Sequence, residues 1–131
     1  KDVVEAQRLM AAVGQTLVLQ NEQQMDSVTG VSGSGPAYVF LMIEALAAAG
    51  VNQGLPADMA MQLAQATVAG AGALAVHAGE SAEQLRINVT SPNGTTQAAL
   101  DILMRSETGL PQLLDQAVAA ASRRSQELSN G

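Results

Sequence analysis

Residues 57–78, which read ADMAMQLAQATVAGAGALAVHA, form the stretch that decides the fold. They are apolar and rich in small side chains, and they lie between Pro56 and Gly79, a pattern typical of one long helix. Gly70 and Gly72 stand inside this pattern, although glycine in a helix costs about 1 kcal/mol relative to alanine. We therefore expect another backbone, from a second helix or a second subunit, to approach closely at these glycines.

The composition of the whole chain agrees with a fold of closely packed helices. Of 131 residues, 47% are hydrophobic and only 2% aromatic, so the core must be built from small and aliphatic side chains. The net charge of −6 argues against nucleic acid or an anionic membrane as a partner. Without cysteine, and with His77 as the single histidine, neither disulfides nor a multi-histidine metal site is expected. No secretory signal is visible, the apolar run over residues 38–49 is too short to span a bilayer, and the cytoplasm is the default location.

The first 25 residues differ in pattern from the rest of the chain. Residues 1–13 have the apolar spacing of an amphipathic helix, and residues 16–19 (Thr-Leu-Val-Leu) form a short strand-like run. One strand cannot form a sheet alone, and a helix followed by a strand is typical of the last unit of an α/β domain. Because residues 20–24 are polar, we expect a domain boundary there, with 1–25 as a remnant of an α/β domain and 26–131 as a helical domain.

Apolar periodicity and the residues that begin and end helices predict further helices downstream. Residues 32–36, Ser-Gly-Ser-Gly-Pro, should begin a helix over residues 37–49 that is buried on most sides and ends at Gly50. Ser81 and Gln84 resemble a capping box. The predicted helices cover about residues 24–31, 37–49, 57–78, 82–88, 92–105 and 110–128.

A second informative stretch is residues 89–97, Val-Thr-Ser-Pro-Asn-Gly-Thr-Thr-Gln, which should turn the chain and open a helix. Ser91 is the expected N-cap and Pro92 the expected first helical residue. The N–H groups of residues 93–96 then have no partner inside the helix, and with the positive end of the helix dipole they can hold an anion. The stretch is either a pocket for a small carboxylate or phosphate or an ordinary capped helix start.

Three other features have both a functional and a structural interpretation, and we prefer the structural one for each. Residues 70–75 fit a loose GxGxxA dinucleotide-binding pattern, but no strand precedes them and they lie within a helical pattern. Glu44 is alone in an apolar helix, where an acidic residue more often faces water or pairs with arginine than takes part in catalysis. His77 lies near a helix end, where positive charge is favoured.

Three motifs, in this order, resemble the landmarks of the pyrroline-5-carboxylate reductase family. They are Ser32-Gly33-Ser34-Gly35-Pro36-Ala37-Tyr38, Gly54-Leu55-Pro56, and Val89-Thr90-Ser91-Pro92-Asn93-Gly94-Thr95-Thr96. The resemblance implies an N-terminal Rossmann domain that binds NADPH or NADH, and an all-α dimerisation domain of the 6-phosphogluconate dehydrogenase C-terminal-like type. The chain would be this helical domain, preceded by one helix and one strand of the Rossmann domain, and it should be inactive alone.

The activity that the resemblance implies is reduction of L-Δ1-pyrroline-5-carboxylate to L-proline, the last step of proline synthesis. The substrate carboxylate would lie at the helix start, and Thr96 would be the catalytic residue that hydrogen-bonds the ring nitrogen. The implied substrate-binding residues are Ser91, Asn93, Gly94, Thr95 and Thr96, of which Asn93 departs from the glycine of many members. The resemblance implies a homodimer, or a decamer as in some members, while the composition and charge give no reason to expect a metal, nucleic acid or membrane as a partner.

Two other functions remain open at the level of the sequence. One is reduction of a different imine or keto acid by an enzyme of the same two-domain design. The other is a helical dimerisation module without catalysis. A GxGxxG motif between a strand and a helix upstream would favour an enzyme, and its absence would favour the module.

Overall fold

The computed structural model describes residues 22–130, which are helical apart from their turns. In chain order the helices are α1 (Glu22–Val28), a π-helical segment (Thr29–Gly33), α2 (Gly35–Asn52), α3 (Ala57–His77), α4 (Ala82–Asn88), α5 (Thr95–Leu103) and α6 (Leu110–Asn130). No strand occurs among these residues, so the predicted all-α fold is confirmed for them. The helix predicted over residues 1–13 and the strand predicted over residues 16–19 lie outside the described residues. The domain boundary at residue 25 therefore stays a prediction.

The described residues divide into two compact units. The terminal unit comprises the residues up to Ala37 and those from Met104 onward, and it contains α1, the π-helical segment and α6. The central unit comprises Tyr38–Leu103 and contains most of α2 together with α3, α4 and α5. The buried apolar residues among those described, Ala47, Ala60 and Ala64, all belong to the central unit.

Helix α6 packs against α1 and the π-helical segment in the terminal unit. Gly30 is buried at this contact, where a Cβ atom would lie 2.9 Å from the carbonyl oxygen of Val118. Ser125 Oγ donates a hydrogen bond of 2.8 Å to Asp26 Oδ1 and so joins α6 to α1. Because glycine has no side chain, the two helix backbones approach closely at Gly30.

The prediction of one helix over residues 24–31 misses the π-helical segment. Ser34 N–H donates to the carbonyl oxygen of Thr29, five residues earlier, at 2.8 Å, which is the π-helical spacing. The Thr29 hydroxyl donates to the carbonyl oxygen of Met25 at 3.1 Å. Residues 29–35, Thr-Gly-Val-Ser-Gly-Ser-Gly, carry one large apolar side chain, so apolar periodicity contains no signal for the wider turn.

Helix α2 ends at Asn52, two residues later than predicted. Gly54, at φ +103, supplies the left-handed residue, and Leu55 N–H bonds the carbonyl oxygen of Gly50 at 3.1 Å, as in a Schellman motif. Gly50 itself is helical, and a Cβ atom there would lie 3.3 Å from both Leu55 Cδ1 and Ala60 Cβ. Gly50 therefore leaves room for the returning chain, and Gly54 makes the turn.

The expectation that α2 is buried on most sides is wrong for the single chain. The buried core of the central unit is small and consists of Ala47, Ala60 and Ala64, with Ile43 and Met61 packed against it. Phe40 and Leu41 on α2 are 63% and 64% exposed, and Val76 on α3 is 77% exposed. One chain thus leaves large apolar side chains uncovered on both helices.

Helix α3 has the predicted extent to within one residue, and Gly79 follows it at φ +74. A Cβ atom at Gly70 or Gly72 would meet no atom within 4 Å beyond its own helix and chain neighbours. The expectation that another helix of the same chain approaches these glycines is therefore wrong for the helices of residues 22–130. Approach by a second subunit remains a prediction.

Helices α4 and α6 begin as the sequence predicts. Ser81 Oγ accepts a hydrogen bond from Gln84 N–H at 3.0 Å, while the Gln84 side chain donates to Asn88 Oδ1 at 2.8 Å. The carbonyl oxygen of Gly109 accepts the bond from Leu113 N–H at 3.1 Å that opens α6. Ser81 therefore caps α4 as predicted, but the second bond of a capping box is missing because the Gln84 side chain points along α4 to Asn88.

Two described helices are long and apolar enough to cross a membrane by length and composition alone. They are Gln24–Asn52, a helix of 29 residues when the π-helical segment is included, and α3. The apolar run over residues 38–49 is short, but the helix that contains it is not. Core and interface helices of water-soluble proteins pass the same test, so this property is weak evidence for a membrane.

Candidate functional site

The candidate site lies in the six residues between α4 and α5 and in the first turn of α5. Thr90 secures the chain as it leaves α4, because its Oγ1 donates to the carbonyl oxygen of Arg86 at 2.6 Å. Thr90 N–H also donates to the carbonyl oxygen of Ile87 at 3.0 Å. Sequence reasoning did not assign a role to Thr90, although a threonine just after a helix often bonds the carbonyl four residues back.

Ser91, Pro92, Asn93 and Gly94 form a β-turn. Gly94 N–H donates to the carbonyl oxygen of Ser91 at 3.0 Å, which closes the turn. Asn93 has φ +61, and proline at the second position with positive φ at the third is the pattern of a type II turn. Asparagine tolerates this left-handed conformation better than most residues, so the turn forms with asparagine in place of glycine.

The predicted helix start at Pro92 is wrong. Helix α5 begins at Thr95, and its first intrahelical bond runs from Ala98 N–H to the carbonyl oxygen of Gly94 at 3.2 Å, which makes Gly94 the N-cap. The positive φ of Asn93 cannot continue a right-handed helix, and this is why the start moves three residues downstream. Ser91 is therefore not the N-cap; its carbonyl oxygen closes the preceding turn instead.

The later start changes which N–H groups are available to a ligand. Gly94 N–H, expected to be free, is engaged by Ser91. The N–H groups of Thr95, Thr96 and Gln97 precede the first intrahelical bond, so they have no acceptor inside α5. Gln97 was missed because the start was predicted too early. Three adjacent N–H groups at the positive end of a helix are suited to an anion.

The side chains at this helix start differ in exposure. Ser91, Asn93 and Thr95 are exposed, whereas Thr96 is half-buried. Gln97 is also half-buried, and its Nε2 donates to Asp101 Oδ1 at 2.7 Å along α5. Among the three hydroxyl-bearing residues named here, Thr96 is thus the one partly shielded from water, where a hydrogen bond to a ligand is stronger than at a fully wet position.

Gly94 has a structural reason for being glycine. A Cβ atom at this position would lie 3.2 Å from the carbonyl oxygen of Ser91 and 3.4 Å from Ser91 Cβ. A side chain would therefore crowd the turn itself, before any ligand is considered. The turn is therefore sufficient to explain this glycine, which the family resemblance implies as a substrate-binding residue.

Polar side chains of α4 lie next to this turn in the sequence and bond chiefly along their own helix. Asn88 Nδ2 donates to Glu80 Oε2 at 3.3 Å, and Asn88 Oδ1 accepts from Gln84. Arg86 Nη2 lies 4.0 Å from Glu83 Oε2, with 37% and 77% of the two side chains exposed. So exposed a pair contributes little to stability.

The other candidate residues lie away from any built site in the described part of the chain. Residues 70–75 lie inside α3, so their glycines form no phosphate-binding turn. Glu44 is exposed in the single chain, and His77 is the last residue of α3. No cluster of three metal-ligating side chains occurs among residues 22–130.

The chain matches a family model described as pyrroline-5-carboxylate reductase dimerisation over residues 22–128. The chain belongs to this family. It is 45% identical to the pyrroline-5-carboxylate reductase of Pseudomonas aeruginosa over 125 residues, which are 95% of the chain and 45% of that protein. The chain therefore spans less than half the length of this relative.

Solved structures agree with this assignment. A pyrroline-5-carboxylate reductase from Coxiella burnetii is 40% identical, with a TM-score of 0.83 over 95% of the chain and 46% of that structure. The Plasmodium falciparum pyrroline carboxylate reductase with NADP bound is 34% identical, with a TM-score of 0.76 over 82% of the chain and 40% of that structure.

Proposed function

We propose that the chain is the C-terminal part of an enzyme that reduces L-Δ1-pyrroline-5-carboxylate to L-proline with NADPH or NADH, the last step of proline synthesis. The names of the relatives support this reaction, and family membership supports the domain assignment. The observation that carries the proposal is the start of α5, where a type II turn delivers three acceptor-free N–H groups beside the Thr96 hydroxyl. A pyrroline carboxylate has the carboxylate that such a helix start can hold.

The proposed role of the turn is to fix the substrate carboxylate. The N–H groups of Thr95 and Thr96 and the Ser91 hydroxyl would bind it, Asn93 would border it, and Gly94 would keep the turn tight. The half-buried Thr96 hydroxyl would hydrogen-bond the ring nitrogen. As the imine carbon is reduced, that nitrogen gains electron density and needs a proton, so a positioned donor lowers the barrier.

The chemistry of hydride transfer comes from the nicotinamide cofactor when it is bound. The described residues do not suit its phosphates, because the glycine pattern over residues 70–75 is inside α3 and follows no strand. We therefore place the main cofactor site in an upstream Rossmann domain. The fragment alone should not bind NADPH tightly, and sub-micromolar binding in a calorimetric titration would contradict this placement.

Self-association is the second part of the proposal, and we expect a homodimer. The support is the apolar surface of α2 and α3, which includes the exposed Phe40, Leu41 and Val76, and the dimerisation family to which the chain belongs. An obligate interface of this kind buries on the order of 2,000 Å² or more. Light scattering at micromolar concentration should give the mass of a dimer or a larger assembly, and a monomer would contradict the proposal.

The test of the site uses Thr96→Val in the full-length enzyme, with Thr96→Ser as the matched control that keeps the hydroxyl. We expect Thr96→Val to lower kcat by about 10²–10⁴-fold and Thr96→Ser to retain most of the rate. Melting temperature is measured on the same samples. If Thr96 only packs or supports the helix start, both variants should keep a kcat near wild type, with Thr96→Val losing about 1 kcal/mol of stability. That result would remove Thr96 from the mechanism.

A further inference from the structure

Asn93 and Gly94 form an asparagine–glycine pair in the turn before α5. Asn93 is exposed, and Gly94 N–H makes the single hydrogen bond that closes the turn, 3.0 Å to the carbonyl oxygen of Ser91. A glycine nitrogen reaches the preceding side-chain amide more easily than any other, because no side chain obstructs it. The pair also immediately precedes the acceptor-free N–H groups of α5.

We propose that Asn93 is a deamidation site and that its deamidation prevents a substrate carboxylate from binding at the start of α5. The loss of binding rests on the proposed function, whereas the modification itself does not.

The reaction needs only the chain and water. The Gly94 backbone nitrogen loses its proton and attacks the side-chain carbonyl carbon of Asn93, forming a new C–N bond. The C–NH₂ bond breaks, and the amide leaves as ammonia with the proton. Water then opens the resulting succinimide at either of its two C–N bonds and leaves aspartate or isoaspartate at position 93. No oxidation or reduction takes place.

Asn52 and Asn88, in the described part of the chain, are poorer substrates for this reaction. Asn52 is the last residue of α2 and precedes Gln53. Asn88 lies in α4 before the β-branched Val89, and its side chain bonds both Gln84 and Glu80. Asn130 also precedes a glycine, at the last position of the sequence, but it lies at the end of α6, far along the chain from the turn.

The closed turn slows the reaction without preventing it. The nitrogen that must attack is engaged by Ser91, so conversion proceeds from the opened turn. Opening requires one backbone hydrogen bond to break in an exposed segment between two helices, which takes far less free energy than global unfolding. Asn93 in the folded protein should therefore convert more slowly than in a peptide and faster than Asn88.

Conversion changes the site in two ways. A new carboxylate at position 93 stands at the positive end of α5, where it repels a substrate carboxylate and competes for the same N–H groups. Isoaspartate also adds a methylene to the backbone and breaks the spacing of the Ser91–Gly94 turn. Both products should weaken substrate binding more than they weaken the helical fold.

The test incubates the full-length protein at mildly alkaline pH and maps its peptides by mass spectrometry over time. We expect the amide-to-acid mass gain at Asn93 well before Asn52 and Asn88, with KM for the pyrroline carboxylate rising in step. Conversion at Asn52 or Asn88 before Asn93 would overturn the assignment of the site. Conversion at Asn93 with an unchanged KM would overturn its effect on binding.

Three variants sharpen the result. Asn93→Asp should have a KM raised about ten-fold from the start, which corresponds to about 1.4 kcal/mol of binding. Asn93→Gly cannot deamidate at this position, so its activity should not decline from its own starting value. Asn130→Gln removes the other asparagine–glycine pair and should lose activity as fast as wild type. If the protein reduces no pyrroline carboxylate at all, the proposed function is wrong. The peptide masses still show in that case whether Asn93 is deamidated.

Discussion

The terminal and central units contain helical glycines in opposite surroundings. In the terminal unit, a Cβ atom on Gly30 would lie 2.9 Å from the carbonyl oxygen of Val118, because α6 of the same chain is already there. In the central unit, a Cβ atom on Gly70 or Gly72 would meet nothing within 4 Å beyond its own helix and chain neighbours. Small residues in a helix therefore do not by themselves show that another segment of the same chain packs closely against them.

The large apolar side chains do not follow this contrast, because both units leave some of them exposed, such as Val31 and Leu113 in the terminal unit. The terminal unit joins distant parts of one chain through the packing of α6 and through the bond from Ser125 to Asp26. The central unit buries three alanines and leaves Phe40 and Val76 largely exposed. We infer that α6 and α1 make their contact within one chain, whereas the apolar surface of α2 and α3 needs a second copy to cover it.

The largest effect is expected for Gly30→Leu, which tests whether the terminal unit packs on itself. The new side chain must displace the backbone of α6, so we expect a loss of at least about 3 kcal/mol of unfolding free energy. Denaturant unfolding at fixed protein concentration measures it. Val31→Leu is the matched control, since Val31 is 59% exposed on the same segment and should tolerate the change. Equal stability of the two variants would contradict the packing of α6 on Gly30.

Gly70→Leu tests the other side of the comparison. Among the described residues, a Cβ atom there would meet nothing within 4 Å beyond its own helix and chain neighbours, so we expect the loss to come from the partner subunit. An overpacking penalty of about 1–3 kcal/mol would raise the dissociation constant of the dimer roughly ten- to a hundred-fold. Light scattering over a dilution series reads this directly. An unchanged dimer with an unchanged melting temperature would mean that Gly70 faces solvent in the assembly.

Ser125→Ala should have a smaller effect within the terminal unit. It removes the hydrogen bond to Asp26 across the contact of α6 with α1, at a cost of about 1 kcal/mol. Ser129→Ala is the matched control on the same helix, because the Ser129 hydroxyl bonds only the nearby carbonyl oxygen of Gln126 and is exposed. Thermal unfolding should show a larger loss of stability for Ser125→Ala than for Ser129→Ala. An equal loss in both variants would show that the hydrogen bond to Asp26 adds no stability of its own.

The smallest net effect is expected for Gly50→Ala in the central unit. Alanine favours the helix by about 1 kcal/mol, but its methyl group would lie 3.3 Å from Leu55 Cδ1 and Ala60 Cβ. The two contributions nearly cancel, so unfolding free energy should change by less than about 1 kcal/mol. Gly54→Ala, at φ +103, should cost about 1–2 kcal/mol, which gives the contrast. A large loss for Gly50→Ala would show that this corner of the central unit is packed rigidly.

The sequence predicted several helix limits from capping residues, although Gly50 and Ser91 proved not to be caps. Ser81, Gly79 and Gly109 each lie where local chemistry places them, since a cap acts through bonds to residues three or four positions away. The motif over residues 89–96 likewise predicted the position of the candidate site. The prediction failed locally at Pro92, because proline is common both at the first position of a helix and in a β-turn. The left-handed conformation of Asn93 makes this segment a turn.

By itself the sequence determined the all-α character of residues 22–130, their main helix limits and the family to which the chain belongs, because these depend on local propensity, caps and short motifs. Only the tertiary structure decided that Gly30 lies against α6, that α2 and α3 keep their apolar side chains exposed, and that α5 starts at Thr95. Those facts depend on where distant segments meet and on one backbone torsion in a turn. Neither is encoded in the spacing of apolar residues along the chain.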